Sequence, residues 1–144
     1  MAREAEIAVF VARRGRREIL VVHRCAELGG YWHTIAGGIE AGESPEEAAR
    51  RELAEESGLQ VEQLGEPHLD RYPLDQEPPE SRARFAPWIT EVPVHAYLVD
   101  VPDDWEPRLD WEHDDHRWCT PDDACARFRW PETAESLRTL LDSP

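Results

Sequence analysis

Residues 37–59 constrain this chain more than any other segment, because they join a glycine-containing loop to a helix with three closely spaced carboxylates. The segment reads GGIEAGESPEEAARRELAEESGL. Successive helical residues turn by about 100°, so Glu56 lies roughly 40° to one side of Glu52 and Glu55 roughly 60° to the other. Like charges at these spacings repel one another. A hard divalent cation reverses that repulsion, since Mg²⁺ and Mn²⁺ are bound by carboxylate oxygens. The stripe therefore predicts a metal site.

Capping residues define both ends of this helix. Ser44 suits the N-cap, Pro45 suits the first helical position, and Glu47 completes a capping box three residues after the serine. Gly58 suits the C-terminal stop. The sequence therefore predicts that the helix begins at residue 45 and ends just before residue 58.

The remaining pattern predicts a mixed β-sheet packed between helices, of α/β or α+β class, in a single domain spanning residues 1–144. The β-rich runs are residues 5–13, 18–24, 32–35, 59–73, 89–101 and 116–119. Pro93 favours an edge strand or a bulge in the fifth run. Residues 74–88 are rich in proline and charge, which predicts a long mobile loop. A short helix is predicted to open at residues 120–123, and an amphipathic helix at residues 131–141.

The amino-acid composition limits the kinds of molecule that this chain is expected to bind. The formal net charge is -15 over 144 residues, which argues against binding long nucleic acid through its phosphates. A small phosphorylated substrate remains compatible with that charge if metal ions supply the positive charge. The three cysteines, Cys25, Cys119 and Cys125, show no metal-ligand spacing and favour a reducing cytoplasm. The sequence contains no apolar run long enough to indicate a membrane span. We expect a cytoplasmic monomer or homodimer.

The spacing of the fixed residues in this segment resembles the Nudix box, a 23-residue signature of hydrolases that cleave nucleoside diphosphates linked to another moiety. In order along the chain, the matching residues are Gly37, Glu43, Arg51, Glu52, Leu53, Glu55, Glu56, Gly58 and Leu59. The resemblance extends beyond the box, because family members place two strands before it, a sheet and a carboxylate-bearing segment after it, and a helix at the end. It implies a Nudix-type fold.

The resemblance also implies roles for the carboxylates. In the family the box helix binds divalent metal through its glutamates, so Glu52, Glu55 and Glu56 are the expected metal-site and catalytic residues. The first of them is a frequent candidate for the general base. A backbone carbonyl just before the box glycine often completes the coordination, and Ala36 supplies it here. The implied cofactor is Mg²⁺ or Mn²⁺.

Other box positions carry supporting roles. The equivalents of Glu43 and Arg51 commonly form an ion pair that holds the loop on the helix, which is a structural role. Glycine permits positive φ and a close approach of the backbone to phosphate, so Gly37 and Gly38 are expected to lie in a substrate-binding loop.

Outside the box, the chain resembles dihydroneopterin triphosphate and dATP pyrophosphohydrolases. The likeness is carried by residues 84–90 (RFAPWIT), by Glu112 with the histidine after it, and by a late helix. It implies that Glu112 lies near the metals and that Arg24 contacts phosphate. Trp32 or Trp88 is a candidate for stacking on a base or pterin ring.

The region around Glu112 leaves alternatives open. It is acidic, and such runs are often merely solvated. His113 is interpreted as a structural or loop histidine. The other carboxylates that could take the place of Glu112 are Asp110, Asp114 and Asp115.

The predicted reaction is hydrolysis of a diphosphate linkage in a nucleoside or pterin triphosphate by water. Phosphoryl transfer needs charge neutralisation and an in-line water more than a protein nucleophile. Two alternatives remain. One is hydrolysis of dinucleoside polyphosphates or of ADP-ribose-type sugars. The other is a non-catalytic Nudix-like sensor, although such domains usually lose box glutamates that this chain keeps.

Overall fold

A computed structural model describes residues 2–143; Met1 and Pro144, the ends of the predicted domain, lie outside the described residues. The strands are β1 (Glu6–Arg13), β2 (Glu18–Arg24), β3 (Trp32–His33), β4 (Ile35–Gly38), β5 (His68–Pro73), β6 (Glu91–Asp100) and β7 (His113–Cys119). The α-helices are α1 (Pro45–Ser57), α2 (Pro79–Arg82), α3 (Pro121–Arg127) and α4 (Pro131–Asp142). Among residues 2–143 no helix has the length and apolar character that crossing a membrane requires.

β1 lies at the centre of the fold and is buried on both faces. Its side chains alternate between faces, as strand geometry requires. Ile7 and Val9 pack with Leu53 of α1 on one face, whereas Phe10 packs with Leu137 of α4 on the other. The sheet therefore lies between α1 on one side and α3 with α4 on the other. The predicted mixed sheet between helices is confirmed.

One edge of β1 changes partner partway along the strand. Its first half, Glu6 to Val9, pairs antiparallel with β4, and its last two residues pair antiparallel with β2. The other edge pairs in parallel with β6 along most of its length. The sheet consequently splits where β4 and β2 diverge, and the cleft described below is lined by residues of both.

The box helix forms as its capping residues predict. The Ser44 side chain accepts a hydrogen bond from the Glu47 N–H, and the Glu47 side chain accepts one from the Ser44 N–H, which closes the capping box. Gly58 ends the helix with a φ of 79°. Ala48 and Ala49, fully buried on the face toward the sheet, allow α1 to approach β1 and β4 closely.

Two segments after the helix differ from the prediction. Residues 59–67 form no strand, so the run predicted at 59–73 contains β5 alone. Residues 74–88 hold a 3₁₀ turn and α2 rather than a long loop. Phe85 and Ala86 are buried, and Arg3 exchanges backbone hydrogen bonds with this segment. Burial of those two apolar residues anchors the segment to the domain.

Two strands also differ in detail. β6 is an interior strand between β1 and β5, so the edge position predicted from Pro93 is wrong. Pro93 is tolerated because pairing with β1 begins only at Val94, which leaves the proline a neighbour on the β5 side. β7 begins at His113, three residues earlier than predicted, because it pairs along nearly the whole of β2.

Candidate active site

A cleft of ≈ 770 Å³ opens where the sheet splits around β1. Box residues Glu52 and Glu56 line it together with Ala36 and Gly37 of β4. Other lining residues come from the end of β2, from the residue just before β7, from β5, from the segment after β5 and from α4. Elements distant in sequence thus contribute side chains to one cavity of the size that small-molecule sites have.

The two box carboxylates in the cleft are close to each other and shielded from water. Glu56 is buried, with an exposed fraction of 2%. Burial raises the pKa of Glu56, and its hydrogen bond to the Glu52 carboxyl and the charge on Glu52 raise it further. The Ala36 N–H lies 3.4 Å from Oε1 of Glu56 and partly opposes that rise. Among the described residues, no arginine forms an ion pair with Glu56.

Glu55 has a different environment from its two neighbours. Its side chain is 58% exposed, and its Oε2 lies 3.5 Å from Nη1 of Arg51. Glu55 is not among the cleft-lining residues of the described chain. The predicted stripe of three carboxylates is therefore divided between a buried pair and one solvent-facing member, and the metal-binding role of Glu55 stays a prediction.

Arg51 joins the helix to the segment before it. Its guanidinium donates to both carboxylate oxygens of Glu43, at 2.7 and 3.0 Å, and to the carbonyl of Gly38 at 3.0 Å. A further bond of 2.7 Å reaches Oε1 of Glu52. These contacts, led by the bond to Glu43, raise the pKa of Arg51. The predicted structural partners therefore lie in contact, and Arg51 also orients one of the cleft carboxylates.

Gly37 and Gly38 lie in β4 and not in a loop, so the positive φ expected of them is wrong. Their small size matters for another reason. A Cβ on Gly37 would overlap the carboxyl group of Glu52, and one on Gly38 would overlap the side chain of Arg3. Glycine leaves room at these positions for side chains from α1 and the N-terminal segment that cross the strand, and a larger residue would displace them.

Glu112 lines the same cleft as Glu52 and Glu56. Its Oε2 lies 3.4 Å from Nη2 of Arg24, the predicted phosphate contact, which also lines the cleft. Of the alternative carboxylates, Asp110 binds His113 at 2.9 Å and Asp114 binds His23 at 2.7 Å. Asp115 accepts a bond from the backbone N–H of the next residue. The geometry thus favours Glu112 over its three neighbours as the distal carboxylate.

The aromatic residues of the cleft are not those singled out by sequence reasoning. Trp32 packs against the core on the α3 and α4 side, with guanidinium groups 5.5 and 5.9 Å from its ring, and Trp88 is 68% exposed. Tyr31 and Trp130 line the cleft instead, with ring centroids 6.4 Å apart. Arg129 lies over both rings. The neighbouring pattern Tyr-Trp-His points to this region, but only pairing of β3 with β2 decides which ring faces inward.

An acidic group lines another part of the cleft. The Tyr72 hydroxyl lies 2.6 Å from Oε1 of Glu6 and 2.9 Å from Oε1 of Glu77, and Arg3 binds the other oxygen of Glu6. Burial raises the pKa of Glu6. Neither Tyr72 nor these glutamates were singled out from the sequence. Glu6 of β1 and Tyr72 of β5 come together only through β6, and Glu77 lies in the segment after β5.

His113 is the functional candidate that sequence reasoning set aside. Its side chain is fully buried between Asp110 and Glu56. Its Nε2 has no hydrogen-bond partner among the described residues. The position of His113 directly after Glu112 was the one available signal.

The donor set fits a hard divalent cation by its chemistry. Carboxylate oxygens of Glu52, Glu56 and Glu112 and the Ala36 carbonyl are the ligand types that Mg²⁺ and Mn²⁺ prefer. The raised pKa of Glu56 marks a place where a cation would relieve repulsion. As the side chains stand, no group of three or more His, Cys, Asp or Glu residues within 2–143 is arranged to hold a metal ion. Arg51 contacts one oxygen of Glu52, Oε1, at 2.7 Å.

A carboxylate-bearing helix beside a cleft in a split α+β sheet agrees with the Nudix-type fold that the sequence resemblance implies. A family model described as the NUDIX domain matches residues 2–140. The chain therefore belongs to the NUDIX family, and the family membership that the box predicts is confirmed.

Relatives of the chain differ in length and name. The octanoyltransferase of Myxococcus xanthus is 34% identical over 136 residues, which cover 94% of this chain but 36% of that protein. The chain thus spans about a third of that relative. The dihydroneopterin triphosphate diphosphatase of Haemophilus influenzae is 27% identical over 137 residues, covering 94% of this chain and 85% of that protein. The E. coli dihydroneopterin triphosphate pyrophosphohydrolase structure has a TM-score of 0.81 at 21% identity, covering 99% of this chain and 98% of that chain. At that identity the likeness shows the fold.

Proposed function

We propose that this chain hydrolyses a phosphoanhydride bond of a nucleoside triphosphate or pterin triphosphate, with Mg²⁺ or Mn²⁺ as cofactor. The observation that carries the proposal is the presence of Glu52, Glu56 and Glu112 in one cleft with Arg24. Three acidic side chains and one guanidinium suit a bound cation and a phosphate chain, respectively. We still expect the substrate to be a small phosphorylated molecule and the protein to be a cytoplasmic monomer or homodimer.

Different residues of the cleft are proposed to bind the cation, contact the phosphate chain and accept a proton from water. Glu52, Glu56 and Glu112, with the Ala36 carbonyl, would hold the cation. When bound, the cation supplies charge neutralisation at phosphate and acidifies water. Arg24 would contact the phosphate chain, and Glu52 is the candidate acceptor of a proton from the attacking water. Arg51 orients Glu52 through the 2.7 Å contact described above.

The ring-binding part of the cleft supports a base or pterin as the other half of the substrate. Tyr31 and Trp130 offer aromatic surface for stacking. Glu6 and Glu77 offer carboxylate oxygens, which accept hydrogen bonds from ring N–H groups. The relative named for dihydroneopterin triphosphate, similar over nearly the whole chain, supports the same substrate class.

The metal-dependent step is tested by Glu56→Gln, which keeps size and removes the charge. We expect kcat to fall by at least about a hundredfold, because a buried ligand oxygen loses its charge while the fold persists. Glu55→Gln, on the same helix but solvent-facing, tests the predicted metal-binding role of Glu55 separately. We expect it to retain more activity than Glu56→Gln, because Glu55 does not line the cleft. Wild-type activity in Glu56→Gln would remove that residue from the site.

The substrate is tested by a panel of dNTPs, dihydroneopterin triphosphate, ADP-ribose and diadenosine polyphosphates, assayed for pyrophosphate and monophosphate release. We expect a triphosphate to be the best substrate and pyrophosphate to be released. If ADP-ribose or a dinucleoside polyphosphate were best by a wide margin, the alternative within the family would replace this proposal. Absence of turnover on every compound, with the cation bound, would favour a sensor.

A further inference from the structure

Three side chains form a line that runs from the rim of the domain to the box helix. Nδ1 of His113 lies 2.9 Å from Oδ1 of Asp110, and Nε2 lies 3.8 Å from Oε1 of Glu56. The exposed fractions of the three side chains are 17% for Asp110, 0% for His113 and 3% for Glu56. The imidazole therefore stands between a carboxylate at the rim and a buried carboxylate of the cleft.

The backbone holds His113 in this position. It is the first residue of β7, where its partner in β2 is Arg24. Its N–H also donates to the Asp110 carbonyl at 3.3 Å. The contact of Asp110 with Nδ1 fixes the ring orientation, so the Nε2 edge faces Glu56. Each ring nitrogen of His113 therefore faces a carboxylate, Nδ1 facing Asp110 and Nε2 facing Glu56.

Nε2 of His113 is buried without a hydrogen-bond partner among the described residues. A buried polar atom in that state is costly, and native structures seldom retain one without a functional reason. The separation of 3.8 Å is too long for a hydrogen bond. A small turn of the Glu56 carboxylate would bring Oε1 within hydrogen-bond distance of Nε2.

We propose that Asp110 and His113 are positioning residues that hold the Glu56 carboxylate in the orientation in which it binds a divalent cation. In this arrangement Nδ1–H of His113 donates to Asp110, and Nε2–H donates to the Glu56 carboxylate. The inference rests on the proposed metal-binding role of Glu56. Side chains that hydrogen-bond a metal-binding carboxylate commonly change metal affinity by about ten- to a hundredfold when removed. His113 itself touches neither cation nor substrate in this arrangement.

The geometry of the imidazole allows its two ends to be tested separately. The Asn amide reaches about as far as Nδ1, and the Gln amide about as far as Nε2. His113→Asn therefore keeps a group facing Asp110 and loses the one facing Glu56, whereas His113→Gln keeps the one facing Glu56. The measurements are Mn²⁺ dissociation constants of the metal-free proteins by titration calorimetry, and urea unfolding without metal.

We expect His113→Asn to weaken Mn²⁺ binding by about tenfold or more and His113→Gln to weaken it clearly less. Asp110→Ala, at the less buried end, should weaken it in the same direction, and it tests the inference even if His113→Asn fails to fold. His23→Gln is the matched control. His23 makes a similar 2.7 Å contact with Asp114 on the same pair of strands but reaches no box glutamate, so its Mn²⁺ affinity should equal that of the wild type.

Two outcomes would overturn the inference, and they differ from failure of the proposed function. If His113→Asn or Asp110→Ala, once folded, binds Mn²⁺ within twofold of the wild type, the two residues do not position Glu56. If Asn and Gln variants lose affinity equally and in proportion to lost stability, the role is structural. If the wild type itself binds no Mn²⁺, the proposed function fails, and this inference fails with it.

Discussion

The backbone of Gly37 on β4 packs directly against the carboxyl group of Glu52 on α1, so closely that a Cβ at residue 37 would overlap Cδ and Oε1. This contact, rather than an unusual backbone angle, explains why glycine occupies the first position of the box. It also means that the width of residue 37 sets where the Glu52 carboxylate lies in the cleft.

Gly37→Ala should therefore lower kcat/KM by about ten- to a hundredfold, because misplacement of a reacting group by 1 Å has effects of that size. The free energy of unfolding should change little, since the displaced atoms are the end of a flexible side chain. Gly65→Ala is the control, because no atom lies within 4 Å of a Cβ built there. Equal kinetics of the two variants would contradict the prediction.

Arg51→Lys should destabilise the protein by about 1–3 kcal/mol, because an ammonium group cannot reproduce the paired bonds to Glu43 and the bond to the Gly38 carbonyl. Urea unfolding at constant pH measures the loss. Arg127→Lys, which perturbs a solvent-exposed pair with Asp123, should cost less than about 0.5 kcal/mol. Similar losses in both variants would show that the Arg51 contacts have no special weight.

His33 should make stability depend on pH. Burial, followed by the positive charges of Arg24 and His113, lowers the pKa of His33 to about 3. Because this folded-state pKa lies below the ordinary value of 6.5, the unfolded chain takes up the proton first as pH falls. Stability is therefore complete above pH 6.5 and is lost as pH falls toward 3.

The measurement compares His33→Gln with the wild type by urea unfolding at pH 6.5 and pH 5. The wild type should lose about 1.5 kcal/mol more than the variant over that interval, since one pKa unit corresponds to about 1.4 kcal/mol. Parallel pH profiles would mean that His33 is solvated or paired in the native protein.

Trp130→Leu should raise KM about tenfold with little change in kcat, because stacking of a base on an aromatic ring contributes about 1–3 kcal/mol to binding. Trp88→Leu, at a site 68% exposed, should leave KM within twofold. Steady-state kinetics with the best triphosphate measures both. The reverse result would favour Trp88, one of the two stacking candidates from the sequence, over Trp130.

Local features of the chain were predictable because neighbouring residues determine them. The capping box of Ser44 and Glu47 and the stop at Gly58 depend on contacts within one or two helical turns. The pairing of β1 with β2 is local as well, because only residues 14–17 separate the two strands. Such contacts form whatever the rest of the chain does, so their sequence signals are reliable.

The errors arose where distant segments decide the outcome. Gly38 and the residue before it read as a loop, but pairing with β1 makes them a strand. Pro93 favours an edge strand, but β6 lies between β1 and β5, and its pairing with β1 begins at Val94, one residue after the proline. Residues 74–88 read as a free loop, but burial of Phe85 ties them to the domain. In each case the segment that decides the structure lies far along the chain from the residues whose structure it decides.

By itself, the sequence determined the family, the box helix and the acidic residues available for a cation, since these depend on residue type and on spacing within one helix. Only the tertiary structure decided which of those carboxylates enter the cleft together, and that Tyr31, Trp130 and His113 lie beside them. The physical reason is that burial and orientation are set by strand pairing and helix packing, which bring together residues separated by tens of positions along the chain.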